Sequence, residues 1–268
     1  MISFRDLVNA LRGLGIDARR PIIAHASLSA FGGVQGGAET LLGALLYYFN
    51  AVLMPSFTYC TMLVPEDGPP DNGLRYGSAR DANLMAEFFR PNLPADKSLG
   101  VIPEALRRYP KSRRSAHPIL SFSGVNADWA LASQTLDEPL APVRMLVEAG
   151  GYVLLLGVDH TANTSIHYGE KLAGRKQFVR WALTPRGVVQ CPDIPGCSKG
   201  FNAIAPRLAA ITRRVQVGDA QVQAVPLVDL VETTRKLIME DPQALLCSRP
   251  DCLECNTVRN YLARETPL

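Results

Sequence analysis

The sequence predicts an α/β fold with a sheet-centred core, and three observations support that prediction. Short apolar runs of strand length alternate along the chain with segments whose apolar residues recur at helical spacing. The 268 residues are 47% hydrophobic and 20% charged, which provides a core and does not fit disordered, collagen-like or coiled-coil proteins. The sequence shows no internal repeat, low-complexity tract or linker, so we expect one domain spanning residues 1–268.

The chain opens with the signals of a capped helix. Ser3 precedes apolar residues at helical spacing and Gly15 follows them, which predicts an N-capped amphipathic helix that stops at the glycine. Residues 21–25 are typical of a short buried strand, and a glycine-rich turn then leads into a second helix. A second strand is predicted within residues 51–57. Residues 65–81 are rich in Pro, Gly, Asp and Asn, which indicates a loop, and loops of this length are often functional.

The remaining elements continue the alternation. Helical spacing predicts helices at residues 82–89, Val101–Arg108, 143–148, 163–172, 202–214 and Leu227–Glu240. Strands are predicted at residues 119–122, Tyr152–Leu156, 178–183 and 188–190, with two further short strands near Val215 and Val222. The strands at 178–183 and 188–190 should form a hairpin around Pro185-Arg186-Gly187.

Charge, hydropathy and cysteine content argue against several classes of protein. Lys and Arg number 28 against 25 Asp and Glu, and this surplus of +3 is too small to predict binding to nucleic acid or a membrane surface. The longest apolar run, residues 41–49, is far shorter than the roughly 18 residues of a membrane span, and the N-terminus has no signal-peptide core. Six cysteines in 268 residues are too few and too widely spaced for a disulfide scaffold, which indicates a reducing compartment. We therefore expect a soluble cytoplasmic protein.

The best catalytic candidates lie after a predicted strand. That strand ends at Gly157, a polar loop follows, and the next helix carries His167 and Glu170. The carboxyl ends of strands in open α/β sheets are where ligands bind. A spacing of three places the imidazole and the carboxylate on one helix face, so Glu170 would orient His167 and raise its basicity as a general base. The alternative is a plain surface contact between the two side chains.

Two other segments are candidates for phosphate binding. The strand end at residues 25–29 is followed by glycines that open a helix, and glycines with free helix-start amides allow phosphate to approach. The segment has neither a G-x-G-x-x-G nor a Walker motif, so a flexible turn is the alternative. Residues 107–114 contain five basic side chains and no acid, a cluster that could hold phosphates or simply be solvated.

Cysteine patterns leave two further sites open. Cys247, Cys252 and Cys255 resemble half of a zinc knuckle, and Cys197 would supply a fourth thiolate, although structural zinc sites usually show cleaner paired spacing. We therefore assign no metal ligands. Cys60 follows a strand and is a candidate covalent acyl carrier, but the sequence places no activating base beside it.

Two rival functions use the same residues differently. A metal-dependent hydrolase would take His117, Asp159, His160 and His167 as ligands, although the chain lacks H-E-x-x-H and any similarly compact set. A non-catalytic module would bind a phosphorylated ligand through the glycine turn and the arginine cluster. That second alternative leaves His167 and Glu170 without a role.

Four segments, taken in order, carry a family resemblance. They are H-A-S-L-S with F-G-G-V-Q-G-G-A-E-T at 25–40, M-P-S-F-T at 54–58, R-S-A-H-P at 114–118 and L-L-L-G-V-D-H-T-A-N-T-S-I-H-Y-G-E at 154–170. With these segments the chain resembles the aminoglycoside 3-N-acetyltransferase family, also called the antibiotic N-acetyltransferase family. The likeness covers nearly the whole chain, and four ordered motifs are far more specific than one.

The resemblance implies a fold, a reaction and a set of site residues. It implies a three-layer α/β/α fold with a mixed central sheet, and transfer of an acetyl group from the cosubstrate acetyl-CoA to an aminoglycoside or related amine. His167 is then the catalytic base and Glu170 its partner. His167 would take a proton as the amine attacks the thioester in a ternary complex, with backbone amides or Ser115 stabilising the oxyanion. The expected cofactor-binding residues are His25, Ser27, Leu28, Ser29, Gly36, Arg114 and Ser115.

The acceptor is less well defined than the reaction. Aminoglycosides are polycations and need a carboxylate-lined cleft. The loop at residues 65–81 offers only a mild acidic excess, namely Glu66, Asp67, Asp71 and Asp81 against Arg75 and Arg80. Ala26 stands where the family commonly has a second serine, which could remove a hydrogen bond near the pantetheine arm. An acyltransferase acting on a non-antibiotic amine is therefore the alternative, and both a monomer and a homodimer stay open.

Overall fold

A seven-stranded mixed sheet forms the centre of the computed structural model, which describes residues 1–265. The strands of the described chain are β1 (Ile22–Ala26), β2 (Val52–Pro55), β3 (Met62–Leu63), β4 (Arg113–Arg114), β5 (Phe122–Val125), β6 (Tyr152–Leu156), β7 (Phe178–Thr184), β8 (Gly187–Ile194), β9 (Arg213–Val217) and β10 (Ala220–Pro226). The central sheet has the order β4-β5-β2-β1-β6-β10-β9. β3, β7 and β8 form a separate three-stranded antiparallel sheet.

Strand direction changes between the middle of the central sheet and its sides. β1 pairs in parallel with β2 and with β6, and His25 lies opposite Leu155 in the second of these pairs. The outer pairs, which involve β4, β5, β9 and β10, are antiparallel. Because parallel strands end at the same edge, the segments that follow β1, β2 and β6 meet at one end of the sheet.

Helices cover both faces of this sheet. They are α1 (Phe4–Gly13), α2 (Gly37–Tyr48), α3 (Arg80–Leu84), α4 (Val101–Arg108), α5 (Asp128–Leu131), α6 (Ala141–Glu148), α7 (Ser165–Leu172), α8 (Ala205–Leu208), α9 (Leu227–Glu240) and α10 (Leu253–Glu265). Ile22 and Ala24 of β1 pack into a core with α1, α2 and α4, whereas Ile23 packs into a second core with α6, α7 and α9. Each large aliphatic side chain buried in this way stabilises the fold by about 1.5–3 kcal/mol. The α/β/α layering and the mixed sheet are therefore confirmed.

Several predicted elements are present with the expected bounds. α1 has the predicted N-cap, since the Ser3 hydroxyl accepts the Asp6 amide while the Asp6 carboxylate accepts the Ser3 amide at 2.9 Å. The strand Tyr152–Leu156 and the helices Val101–Arg108 and Leu227–Glu240 match the prediction. The predicted hairpin is formed by β7 and β8.

Local hydrogen bonds explain one misplaced strand. The strand predicted at residues 119–122 is wrong, because β5 begins only at Phe122. The Nδ1 atom of His117 accepts the amides of Ile119 and Leu120 at 3.1 and 3.0 Å, which holds these residues in a turn. Their apolar side chains are buried all the same, so an apolar run did not distinguish a strand from a buried turn.

Two predicted helices extend too far. The helix predicted at 82–89 ends at Leu84, and Phe89 instead donates its amide to the Leu183 carbonyl of β7 at 2.9 Å. The helix predicted at 202–214 stops at Leu208, because the following residues enter β9 and pair with β10. The short helix α5 and the C-terminal helix α10 were not predicted. Within residues 1–265 no helix has the length and apolar character needed to cross a membrane.

Candidate active site

A cleft of about 1160 Å³ opens at the edge of the sheet where β1, β2 and β6 end. Its lining includes His25 at the end of β1, Phe57 after β2 and Val158 after β6. Residues 97–101 and the segment at 194–199 after β8 contribute further walls. Single-ligand sites are typically about 300–1,000 Å³, so this cleft lies just above the upper end of that range.

Two glycines determine how α7 enters the cleft. After β6, Gly157 has a φ of 69°, and a Cβ there would come within 2.5 Å of the Ala30 Cβ, so the turn requires glycine. Gly169 of α7 packs against α9, where a Cβ would lie 2.6 Å from the Thr234 Cβ. This close helix contact leaves the His167 side chain on the cleft side of α7.

His167 and Glu170 form a buried hydrogen-bonded pair on α7. The distance from His167 Nδ1 to Glu170 Oε2 is 2.7 Å, and the two side chains are only 9% and 5% exposed. An imidazole that binds a carboxylate through Nδ1 carries its proton there, which leaves Nε2 to accept a proton from a ligand. The ring of Phe201 packs edge-on against the imidazole with centroids 4.6 Å apart and restricts its rotation. The pair thus has the geometry of an oriented general base.

A buried arginine lies behind this pair. Arg175 Nε is 3.9 Å from Glu170 Oε1, with both side chains nearly inaccessible, and Arg175 Nη2 donates to the Ala244 carbonyl at 2.7 Å. Burial lowers the pKa of Arg175, whereas the Glu170 carboxylate raises it. The guanidinium charge offsets the charge of the buried carboxylate. Glu170 is therefore hydrogen-bonded to the imidazole and lies within ion-pair distance of the guanidinium.

Four residues predicted for coenzyme A line the cleft. They are His25, Ser27, Leu28 and Ser29. The Ser27 and Ser29 hydroxyl oxygens are 3.1 Å apart at the start of a single 3-10 turn, whose first backbone amides have no acceptor within the turn. Burial lowers the pKa of His25 to about 3, so its imidazole is neutral. Its Nε2 atom has no hydrogen-bond partner among the described residues.

The other three predicted cofactor residues lie outside the cleft lining. Gly36 is the N-cap of α2, with a φ of 76°. Arg114 Nη2 donates to the Ser56 carbonyl at 2.6 Å, and burial lowers the pKa of Arg114 to about 10. The Ser115 hydroxyl accepts the Phe122 amide at 2.8 Å. Arg114 and Ser115 are thus occupied in holding neighbouring backbone together.

Charged residues that the sequence analysis did not select face the cleft. Lys97, Arg180 and Lys199 contribute positive charge, and Glu254 of α10 contributes a carboxylate. Arg180 Nη2 is 3.8 Å from Glu254 Oε1, and burial lowers the pKa of Arg180. No local sequence pattern marks these positions, because each comes from a different element. The cleft lining is therefore cationic overall, with three positive side chains and one carboxylate.

The acidic loop at residues 65–81 is anchored to β7. Asn72 Nδ2 donates to the Val179 carbonyl at 2.9 Å, and Asn72 Oδ1 accepts the Val179 amide at 2.8 Å, which fastens the loop to β7. Asp71 forms an ion pair with Arg264 of α10. The four acids of this loop, Glu66, Asp67, Asp71 and Asp81, are not part of the cleft lining.

The histidines proposed as hydrolase ligands have separate local roles. His117 Nδ1 already binds two backbone amides, and burial lowers the pKa of His117 to about 4. Asp159 Oδ1 accepts the Thr161 amide at 2.9 Å and caps the turn that contains His160. These residues do not converge with His167 on a common point among the described groups that could hold a metal. The geometry gives no support to the metal-dependent hydrolase.

The cysteines fall into two groups. Partial desolvation raises the pKa of Cys60, with nearby Glu87 and Asp96 acting in the same direction, which is the opposite of an activated nucleophile. Four other cysteines bring their sulfur atoms within 4.8 Å of one another: Cys197, Cys247, Cys252 and Cys255. The structure therefore assembles the four-thiol set that the sequence left open.

Comparisons with known proteins point to one family. The model of the aminoglycoside 3-N-acetyltransferase family matches residues 23–239. Aminoglycoside N(3)-acetyltransferase VII of Streptomyces paromomycinus is 36% identical over 187 residues, which cover 65% of this chain and 62% of the relative. Aminoglycoside N(3)-acetyltransferase VIII of Streptomyces fradiae is 34% identical over 256 residues, which cover 84% of this chain and 87% of the relative.

Solved structures of similar fold carry related names. The apoenzyme of aminoglycoside acetyltransferase AAC(3)-IVa is 26% identical, with a TM-score of 0.77 and 97% of both chains covered. A histidine-to-alanine variant of AAC(3)-IVa in complex with a gentamicin is 26% identical, with a TM-score of 0.75 and the same coverage. The complex of AAC-IIIb with CoASH is 25% identical, with a TM-score of 0.71, and covers 89% of this chain and 96% of that chain.

Proposed function

The chain belongs to the aminoglycoside 3-N-acetyltransferase family, and we propose that its single domain transfers an acetyl group from acetyl-CoA to an amine of an aminoglycoside. The observation that carries the proposal is the buried His167–Glu170 pair, whose imidazole lines the cleft. Similar structures hold CoASH in one case and a gentamicin in another, which supports both ligand classes. The family name points to the 3-amino group of 2-deoxystreptamine as the acceptor position.

His167 acts as the general base in this mechanism. The amine nitrogen attacks the thioester carbonyl while His167 Nε2 takes a proton from the amine, and the C–S bond then breaks. The coenzyme A thiolate receives the proton from the imidazolium, so the products are the N-acetylated amine and CoASH, with the imidazole neutral again. Glu170 keeps Nε2 directed at the cleft and stabilises the imidazolium that forms between the two steps. A positioned base of this kind contributes about 10²- to 10⁴-fold in rate.

Backbone amides are the better candidates for oxyanion stabilisation. Ser115 holds the Phe122 amide outside the cleft lining, so we assign the role to amides at the start of the 3-10 turn Leu28–Phe31. Ser27, Leu28 and Ser29 all line the cleft. Amides there would donate to the carbonyl oxygen as negative charge develops on it.

Donor phosphates have a separate cationic region available. Lys97 lines the cleft, and α4 begins beside it at Val101, after the N-cap Gly100 with a φ of 87°. The amides of a helix N-terminus together with a lysine form a site for phosphate oxygens. This segment takes the role that the sequence analysis gave to Arg114, whose guanidinium is bound to backbone carbonyls.

The charge of the cleft favours a second candidate acceptor. Lys97, Arg180 and Lys199 outnumber the single cleft carboxylate, Glu254, whereas a polycation is recognised best by several carboxylates. Acyl transfer to an amine of lower positive charge is therefore the second candidate function. It uses the same donor, the same base and the same chemical step.

One assay separates these acceptors and tests the reaction. Purified protein would be incubated with acetyl-CoA and a panel of aminoglycosides and singly charged amines, with CoASH release and acetylated products measured together. We expect saturable acetyl-CoA binding by calorimetry and stoichiometric formation of acetylated product with one class of amine. If acetyl-CoA fails to bind, both with and without the amines, the acetyl-transfer proposal is wrong.

The cellular location and the oligomeric state of the protein are also part of the proposed function. We propose a cytoplasmic location, which is supported by six cysteines that form no disulfide bond and by the need for acetyl-CoA. Every residue named in the mechanism comes from one chain, so the reaction is available to a monomer and to a homodimer alike.

A further inference from the structure

Four cysteines from two separate segments meet beside the active-site cleft. Cys197 lies in the segment after β8, whereas Cys247, Cys252 and Cys255 come from the approach to α10 and its first turn. Their sulfur atoms lie within 4.8 Å of one another and form no disulfide bond. Cys247, Cys252 and Cys255 are buried, and Cys197 is half-buried. Two segments far apart in the sequence therefore bring four thiols to one point.

The arrangement fits a single tetrahedral ion. Four thiolates at a zinc–sulfur distance of about 2.3 Å would lie about 3.8 Å apart, so the observed cluster needs only a small contraction to close around an ion. Four residues separate Cys247 from Cys252 and two separate Cys252 from Cys255, and both spacings fall within the two to four residues that separate paired zinc ligands, although the pairs themselves are not regular. A shallow depression lined by Cys197 and Cys252 connects the cluster with solvent, as an entry path requires.

Backbone amides donate to two of the four sulfur atoms. The Lys199 amide donates to Cys197 Sγ and the Cys247 amide donates to Cys255 Sγ, each at 3.4 Å. Amide bonds of this kind orient the sulfur ligands and stabilise their negative charge. Arg175 attracts negative charge on Cys255, and the exposed Arg249 weakly attracts negative charge on Cys247 and Cys252.

We propose that Cys197, Cys247, Cys252 and Cys255 bind one structural Zn²⁺ ion that braces the wall of the cleft. Soft thiolate ligands select zinc over magnesium or calcium, and a full set of four protein ligands leaves no open position for catalysis. Binding displaces the thiol protons to solvent. The ion joins the segment after β8 to the C-terminal helix.

The wall that this ion would brace faces the proposed ligands. The Ser198 hydroxyl, next to Cys197, donates to the Thr161 carbonyl at 2.7 Å. Glu254, between Cys252 and Cys255, lines the cleft opposite Arg180. The Cys252 thiol donates to Glu254 Oε2 at 3.5 Å, and metal binding would remove that proton and release the carboxylate toward the cleft. Zinc would therefore set the position of the one carboxylate that lines the cleft among the described residues.

Elemental analysis of the purified full-length chain tests the proposal directly. After exhaustive dialysis against metal-free buffer, we expect about one zinc per chain. Cys197→Ser and Cys255→Ser should lower the zinc content at least fivefold. Cys60→Ser removes a cysteine outside the cluster and is the matched control, which should retain its zinc. This readout does not depend on acetyl transfer, so its failure and the failure of the proposed function are distinguishable.

A second measurement covers variants that fail to fold. The wild-type protein stripped with a strong chelator should melt at a lower temperature and recover when Zn²⁺ is returned. Replacement by Co²⁺ should give the intense visible absorption of tetrahedral thiolate coordination. Wild-type protein without zinc, iron in its place, full zinc content in Cys197→Ser, or disulfide bonds among these cysteines by mass spectrometry would each overturn the proposal.

Discussion

The His167–Glu170 pair and the four-cysteine cluster both lie beside the cleft, and they are encoded in different ways. The pair occupies two positions of one helix, three residues apart, so helix geometry alone brings the groups together. Cys197 is far from Cys247 in the sequence, and only the packing of α10 onto the body of the fold joins them. A site whose residues are close in the sequence can be predicted from the sequence. A site whose residues come from distant segments can be identified only from the folded structure.

Removing the base should produce the greatest loss of activity. We expect His167→Ala to lower kcat by about 10²- to 10⁴-fold, because the amine then loses the group that accepts its proton. Acetyl-CoA affinity should change little, since the donor contacts lie mainly on other elements. Steady-state kinetics and calorimetry on the same preparation would test this. Tyr168→Phe changes the neighbouring position of α7 outside the cleft lining and should behave like the wild type. Equal turnover in His167→Ala would remove the base from the mechanism.

Neutralising the carboxylate partner should have a smaller effect on rate. Glu170→Gln can keep a hydrogen bond to Nδ1 but loses the negative charge that stabilises the imidazolium, so we expect kcat to fall about 10- to 100-fold. The variant also leaves the Arg175 guanidinium without its buried carboxylate, so its urea midpoint should decrease. A stable variant with unchanged kcat would show that helix geometry has placed these groups together without catalytic consequence.

Acid should destabilise the fold through two buried histidines, His25 and His117. Burial lowers the pKa of His25 to about 3 and that of His117 to about 4, below the ordinary value of 6.5. Between pH 6.5 and 4 the unfolded chain therefore binds more protons than the folded chain, and stability falls as the pH is lowered. Each of these histidines contributes about 1.4 kcal/mol, or tenfold in the unfolding equilibrium, per pH unit within this window.

Urea unfolding at about pH 7, 6 and 5 would measure this slope. His117→Gln retains an oxygen that can accept the amides of Ile119 and Leu120 but cannot gain a positive charge. Its stability should depend less steeply on pH than that of the wild type. Parallel pH curves for the two proteins would contradict the assignment of the acid sensitivity to His117.

The carboxylate carried by the C-terminal helix should tune acceptor affinity only modestly. We expect Glu254→Gln to raise KM for a polycationic amine about twofold to fivefold, because the side chain is partly exposed and its charge is screened. Neither kcat nor the zinc content should change. Glu232→Gln, an exposed position of α9 away from the cleft, is the control. A lower KM in Glu254→Gln would favour an acceptor of lower positive charge.

Prediction from the sequence succeeded where the signals were local. Strand β6, the capped helix α1 and the helix α9 were predicted because apolar periodicity and capping residues act within a few positions. The strand predicted at 119–122 was misplaced because the His117 ring accepts the backbone amides of Ile119 and Leu120. The hydropathy pattern of the sequence does not predict such a hydrogen bond. Four of the seven predicted cofactor residues line the cleft, and all four lie at the end of β1 or just after it: His25, Ser27, Leu28 and Ser29.

The amino-acid sequence was sufficient for the fold class, the family and the pairing of His167 with Glu170, since strand length, helix period and ordered motifs are all properties of neighbouring residues. Three features depend on tertiary packing. Arg114 donates to backbone carbonyls, and Lys97 and Glu254 line the cleft. Four thiols from two segments lie close together. A guanidinium, a lysine or a cysteine has the same local pattern whether it meets a ligand, a carbonyl or a metal. Its partner is chosen by the long-range contacts that close the chain around the sheet, and those contacts are not encoded within any short window.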